Sequence, residues 1–131
     1  MAEGRILDAA ALRGAGRWAY AYYVAGYAVE CGLKSCVLAQ MIQTGGVFTD
    51  KKFAEQCFTH DFGKLVELAG PTAALNAELA ANQAFVGFWS TVKDWKETSR
   101  YEQKSQPEAD ALYLAITNDI NGVMRWIRNY W

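Results

Sequence analysis

The sequence predicts an all-α fold, an antiparallel up-and-down bundle of about four principal helices with short helices between them. One domain is expected over residues 1–131. Alanine and leucine abound, β-branched residues never cluster, and no segment alternates apolar and polar residues with a period of two. Only two prolines, Pro71 and Pro107, interrupt the chain, and each stands where a helix can begin. Hydrophobic residues make up 52% of the 131 residues and aromatics 14%, enough to build a packed core without staples.

Each element follows from local signals. A short first helix is expected over roughly Arg5 to Leu12, ending near Gly14 and Gly16. The second runs from about Arg17 to Ile42 and stops at Thr44-Gly45-Gly46, where glycine can turn the chain out of the helix. Thr49 or Asp50 can cap a short third segment through Cys57. Asp61 to Leu68 reads as another short helix, with Thr59 or His60 at its start and Gly70-Pro71 beyond its end. Thr72 begins a long helix to about Trp95. Its apolar stripe is Phe85, Phe88, Val92 and Trp95, broadened by Leu75, Leu79, Val86 and Trp89. Lys96 to Gln106 is polar except for Tyr101 and reads as a loop. Pro107 suits the first turn of the last helix, preceded by Ser105 or Gln106. Leu112, Ile116, Ile120, Val123, Ile127 and Tyr130 mark that helix's core face.

The second helix sorts into two faces. Ala21, Ala25, Ala28, Gly32 and Ala39 form a stripe of minimal volume that lets another helix approach closely. Tyr20, Tyr23, Tyr27, Glu30 and Lys34 lie well away from it and align three phenols with a carboxylate and an ammonium.

Bulk properties exclude several classes. A net charge of -1 and a pI near 5.8 argue against coating nucleic acid by bulk electrostatics, while leaving room for a local basic pocket. Lys51 with Lys52, Lys93 with Lys96, and Arg125 with Arg128 have acidic neighbours and read as solvated helix faces. Cys31, Cys36 and Cys57 are odd in number and not spaced as CxxC. With His60 the only histidine, a zinc site would need all four to converge. Reduced, partly buried thiols are expected, with no metal and no cofactor. The first residues carry Glu3, Arg5 and Asp8 without an apolar run, and no stretch approaches the ~18 apolar residues of a membrane span. The expectation is a soluble, cytoplasmic protein.

Four segments in order resemble the HEPN domain (higher eukaryotes and prokaryotes nucleotide-binding domain). Tyr23-Val24-Ala25-Gly26-Tyr27-Ala28-Val29-Glu30-Cys31-Gly32-Leu33-Lys34 is similar to that family's long helix, which often reads A-x-x-L-A-G-Y-A-V-E-C-A-L-K. His60-Asp61-Phe62 with Lys64-Leu65 and Leu68 resembles its H-D-L-x-x-L-x-x-L segment, and Trp95 followed by Arg100-Tyr101 its W-x-x-x-x-R-Y junction. A final helix ending in Met124-Arg125-Trp126-Ile127 completes a resemblance that spans about residue 5 to residue 131. The resemblance implies a helical bundle that pairs into a homodimer. Many members act as metal-independent ribonucleases in toxin–antitoxin and defence systems, often beside a nucleotidyltransferase that serves as antitoxin. Others bind nucleotides or other ligands. The nuclease members carry R-x(4–6)-H, whose arginine holds a phosphate and whose histidine moves a proton. Here Arg100 is present, but Tyr101 to Pro107 contains no histidine, and neither does any later residue. The tyrosine that the antitoxin usually targets, just after that histidine, is missing as well.

Arg100 and Tyr101 are therefore the leading ligand contacts, with a guanidinium able to fork onto a phosphate or carboxylate or, alternatively, to serve as a strut inside the bundle. Glu30 and Lys34 form an i, i+4 pair on a helix surface, unless Glu30 faces Arg100 across the bundle and pairs with it. Tyr23 and Tyr27 can line the same pocket and stack on a base, or belong to core or dimer interface. His60 reads as a helix-start residue bonding to free amides or to a neighbouring helix. Cys31 lacks a base, since Glu30 points about a hundred degrees away on the same helix.

The expectation is a non-catalytic, homodimeric nucleotide, nucleic-acid or anionic-ligand binding module working with a nucleotidyltransferase. The alternative is a ribonuclease that cuts with Arg100 and a substitute proton-transfer residue, His60, Lys104 or Tyr101. A third possibility is a structural interaction module.

Overall fold

The longest helix organises everything around it. In the computed structural model, which describes residues 1–45 and 51–131, α2 spans Trp18–Gln43, and α1 (Ala2–Gly14) folds back along it through a three-residue turn at 15–17. After α3 (Lys51–Gln56) come α4 (Phe62–Ala69), α5 (Thr72–Ala81) and α6 (Gln83–Lys93). A 3-10 turn (Glu97–Tyr101), α7 (Gln106–Thr117) and α8 (Val123–Ile127) follow. α1, α4, α7, α8 and the 3-10 turn all pack on α2, while α6 packs on α7 and α8. The described residues contain helices and no strand, as the sequence predicts. Among them, no helix is long and apolar enough to cross a membrane.

Small residues let the neighbours in. Ala21, Ala25, Ala28 and Gly32 are buried on α2, and Ala39 is half-buried. Gly26, outside that stripe, receives the indole of Trp95 so closely that a Cβ there would overlap the ring. Arg13 near the end of α1 forks onto Asp110 of α7 through Nε and Nη2, each 2.8 Å from Oδ1. Its guanidinium lies 4.2 Å from the Tyr113 ring centroid. On the far side, Phe85 and Trp89 of α6 meet Trp126, which in turn packs on Tyr130, with centroid separations of 4.9–6.4 Å. Much of the aromatic content is thus core.

Several boundaries differ from the sequence reading. α1 is longer at both ends. Asp61, rather than Thr59 or His60, caps α4: its Oδ1 accepts the Lys64 N–H at 2.9 Å. Gly70 ends that helix at φ 100, in the left-handed region. Thr49 and Asp50 lie outside the described residues.

The long helix expected over Thr72 to Trp95 is two helices. Asn82 adopts an extended conformation between them; its Oδ1 accepts the Phe85 N–H, and its Nδ2 donates to Glu78 and Asn121. The last helix also breaks: Asn118 Oδ1 accepts the N–H groups of Ile120 and Asn121. Ile120 is consequently exposed instead of joining the core, and Phe88, Leu79 and Val86 are only half-buried. The polar segment after Trp95 contains the 3-10 turn. Ser105 then caps α7 in a reciprocal box with Glu108, and Pro107 sits in the first turn.

Candidate functional site

Among the described residues Glu30 is the one buried carboxylate, 2% exposed near the middle of α2. Burying a charge is costly unless it is paired and hydrogen-bonded. Here it is paired twice. Lys34 Nζ, one turn on, donates to Oε1 at 2.8 Å, and His60 Nδ1 lies 2.9 Å from Oε2. As the carboxylate accepts from both, Nδ1 is the protonated nitrogen and Nε2 faces away from Glu30.

Local structure fixes the histidine. The Asp61 N–H donates to Thr59 Oγ1 at 3.1 Å while the Asp61 side chain caps α4, so His60 is held in the turn between two anchored neighbours. Its side chain remains 44% exposed, as a group must be to meet a ligand.

His60 lies on the wall of a cleft of about 470 Å³, with Phe62, Trp95, Lys93, Lys96 and Glu97 among its lining. Phe62 and Trp95 stack with centroids 5.3 Å apart and planes 3° from parallel. Tyr23 stacks behind Trp95 at 6.0 Å, and Tyr27 on Tyr23 at 6.1 Å, with the Arg5 guanidinium 5.8 Å from the Tyr27 centroid. The two tyrosines belong to this aromatic row and are not part of the cleft lining. Lys93 and Lys96 are exposed and, among the described residues, carry no ion pair.

The structure brings together Glu30, Lys34 and His60, but not Glu30 and Arg100. The possible Glu30–Arg100 pairing is replaced by Glu30–His60. Arg100 is exposed near the end of the 3-10 turn, with its guanidinium 4.7 Å from the centroid of the Tyr101 ring, itself 76% exposed. The lysines read as solvated from sequence, Lys93 and Lys96, flank Trp95 and reach the cleft. Their bracketing of Trp95, the last member of an apolar stripe, is the signal in the sequence that could have found them.

Three other groups hold their protons more firmly than their free counterparts. Lys104 donates to Glu102 at 3.0 Å, which raises its pKa, and it lies over the Tyr22 ring. Burial pushes the Cys36 thiol up to about 11, and burial followed by the Glu30 charge raises Cys31, leaving both protonated at neutral pH. All three cysteines are free, and no group of three His, Cys, Asp or Glu among the described residues could hold a metal ion. No protein-family model matches the chain, and no curated protein and no solved structure does so either.

Proposed function

We propose that this chain is a HEPN-like bundle that binds an anionic ligand, the phosphate of a nucleotide or nucleic-acid end, in the cleft beside His60. One observation carries the reading: an anchored imidazole shares a cleft with two exposed lysines, which have no ion pair among the described residues, and a stacked indole. Imidazole and ammonium groups suit a phosphate, and the Trp95–Phe62 pair borders the space where an attached base would lie. Asp61 and Glu97 temper the positive charge, but Asp61 is committed to its helix cap. Arg100 and Tyr101 lie on the turn that leaves the cleft through Lys96 and Glu97, where an extended ligand would continue. In this reading the protein works as a homodimer beside a nucleotidyltransferase partner.

The test is titration of the purified protein with adenosine monophosphate and short oligonucleotides. The double variant Lys93→Gln with Lys96→Gln should weaken binding about tenfold or more while leaving the fold intact. Unchanged affinity in that folded variant would move the site elsewhere, towards Arg100.

The Glu30–His60 hydrogen bond favours a second reading, a metal-independent ribonuclease. A buried carboxylate fixing Nδ1 leaves Nε2 to exchange a proton with a ribose hydroxyl or leaving oxygen, in place of the missing motif histidine. Cleavage of mixed RNA with a chelator present, lost in folded His60→Asn and Arg100→Ala, would establish it. Absence of cutting by the wild type would leave the binding module.

A further inference from the structure

Around His60 the free protein sets four ammonium groups against three carboxylates, and an anion would shift that balance. On the α2 side the imidazole meets Glu30 and Lys34, one charge of each sign, already joined at 2.8 Å. Beyond them Cys57 follows α3, and burial raises its pKa, so its thiol stays neutral near neutral pH. From α4 come Asp61, engaged at the helix start, and Lys64, on the neighbouring groove with Thr59. Across the cleft stand Lys93 of α6, then Lys96 and Glu97. These groups therefore present no surplus of negative charge to the ring when the cleft is free. The Nδ1 bond to Glu30, 2.9 Å long, is already in place, and Nδ1 carries a hydrogen to donate in both the neutral and the protonated ring. Only the outward Nε2 changes, from lone pair to donor.

We infer that anion binding in this cleft is coupled to uptake of a proton by His60. The ligand's negative charge arrives on the Nε2 side, the ring takes one proton from solvent there, and the imidazolium bridges ligand and Glu30. This rests on the reading of the cleft as an anion site. By linkage, affinity for an anion of fixed charge then falls about tenfold per pH unit above the midpoint of the free histidine, until the midpoint of the complex is reached. Lys34 is a positioning residue in this scheme: by pairing with Glu30 Oε1 it leaves Oε2 to the ring and offsets the carboxylate charge that the ring faces.

Sulfate is the appropriate probe, because its own charge is constant between about pH 5.5 and 8.5, where histidine titrates. His60 is the only histidine, so its ring-proton NMR signals report the group without ambiguity. Saturating sulfate should move the His60 titration midpoint upward, and sulfate affinity should fall with pH in step. In His60→Asn, whose amide still donates to Glu30, the remaining sulfate affinity should be flat across the same range.

Three outcomes would overturn the inference. If sulfate perturbs the amides of Lys93 and Lys96 but leaves the His60 midpoint unmoved, coupling is absent while the anion site stands. The same holds if His60→Asn keeps the wild-type pH dependence. If sulfate perturbs nothing at any pH in this range, the anion site itself falls and the inference with it.

Discussion

The middle of α2 and the 3-10 turn that packs against the same helix treat charge in opposite ways. At Glu30, a carboxylate is taken out of water and held by an ammonium and an imidazole N–H from two directions, each side chain itself partly exposed at 35% and 44%. At Arg100, a cation stands in solvent over an exposed phenol, with no carboxylate partner among the described residues. The first arrangement fixes geometry at a cost in desolvation; the second leaves a charge free and adds little to stability. The residue most conspicuous in the sequence motif is thus energetically the least committed, and the lone histidine is the most tightly placed.

The largest expected effect breaks the first region. Removing both donors, Lys34→Ala with His60→Ala, leaves Glu30 buried and unpaired and should cost about 3–5 kcal/mol. Either single change should cost clearly less, because one donor remains and the loss is then non-additive. Urea unfolding with an unchanged m-value would read this as a shift in midpoint. A double variant within 1 kcal/mol of the wild type would mean that Glu30 finds water or a proton, and the contrast between the regions would collapse.

Next in size is the contact that joins the regions. Trp95 lies between His60's cleft and the 3-10 turn, seated on Gly26. Gly26→Ala puts a methyl group into the indole and should destabilise by about 1–3 kcal/mol through overpacking. It should also shift the Trp95 indole NMR signal and weaken ligand binding in the cleft. A stable Gly26→Ala with native signals would show that Trp95 has room to move, and the cleft wall would not be rigid.

Much of this architecture is legible in the sequence, and the parts that are not share a cause. α2, the small stripe on it and the Ser105–Glu108 start of α7 follow from spacing and capping chemistry within one segment. The two helix breaks at Asn82 and Asn118 do not, because apolar periodicity runs through both and neither carries proline. What stops the helices is asparagine bonding to backbone and, between the breaks, Asn82 to Asn121 at 2.8 Å, a contact made only once the chain is folded. The site shows the same division. Glu30 and Lys34 are visible as an i, i+4 pair, whereas the arrival of His60 from 30 residues away is decided by packing α4 on α2. Spacing along a helix is readable; which distant group answers a buried charge is not.

The smallest expected effect belongs to the second region and sharpens the comparison most. Arg100→Ala removes an exposed guanidinium that stacks on Tyr101 and holds no carboxylate, so stability should change by no more than about 0.5 kcal/mol. Thermal unfolding, run beside the Lys34 and His60 variants, measures this directly. A loss of several kcal/mol would restore Arg100 as the strut of a buried ion pair and place Glu30's partnership in doubt. With stability intact, any fall in oligonucleotide affinity in Arg100→Ala reports a contact to ligand rather than to the bundle. If mononucleotide affinity is then untouched while oligonucleotide affinity drops, the ligand extends from the His60 cleft along the 3-10 turn, and the free charge has a use that the buried one cannot serve.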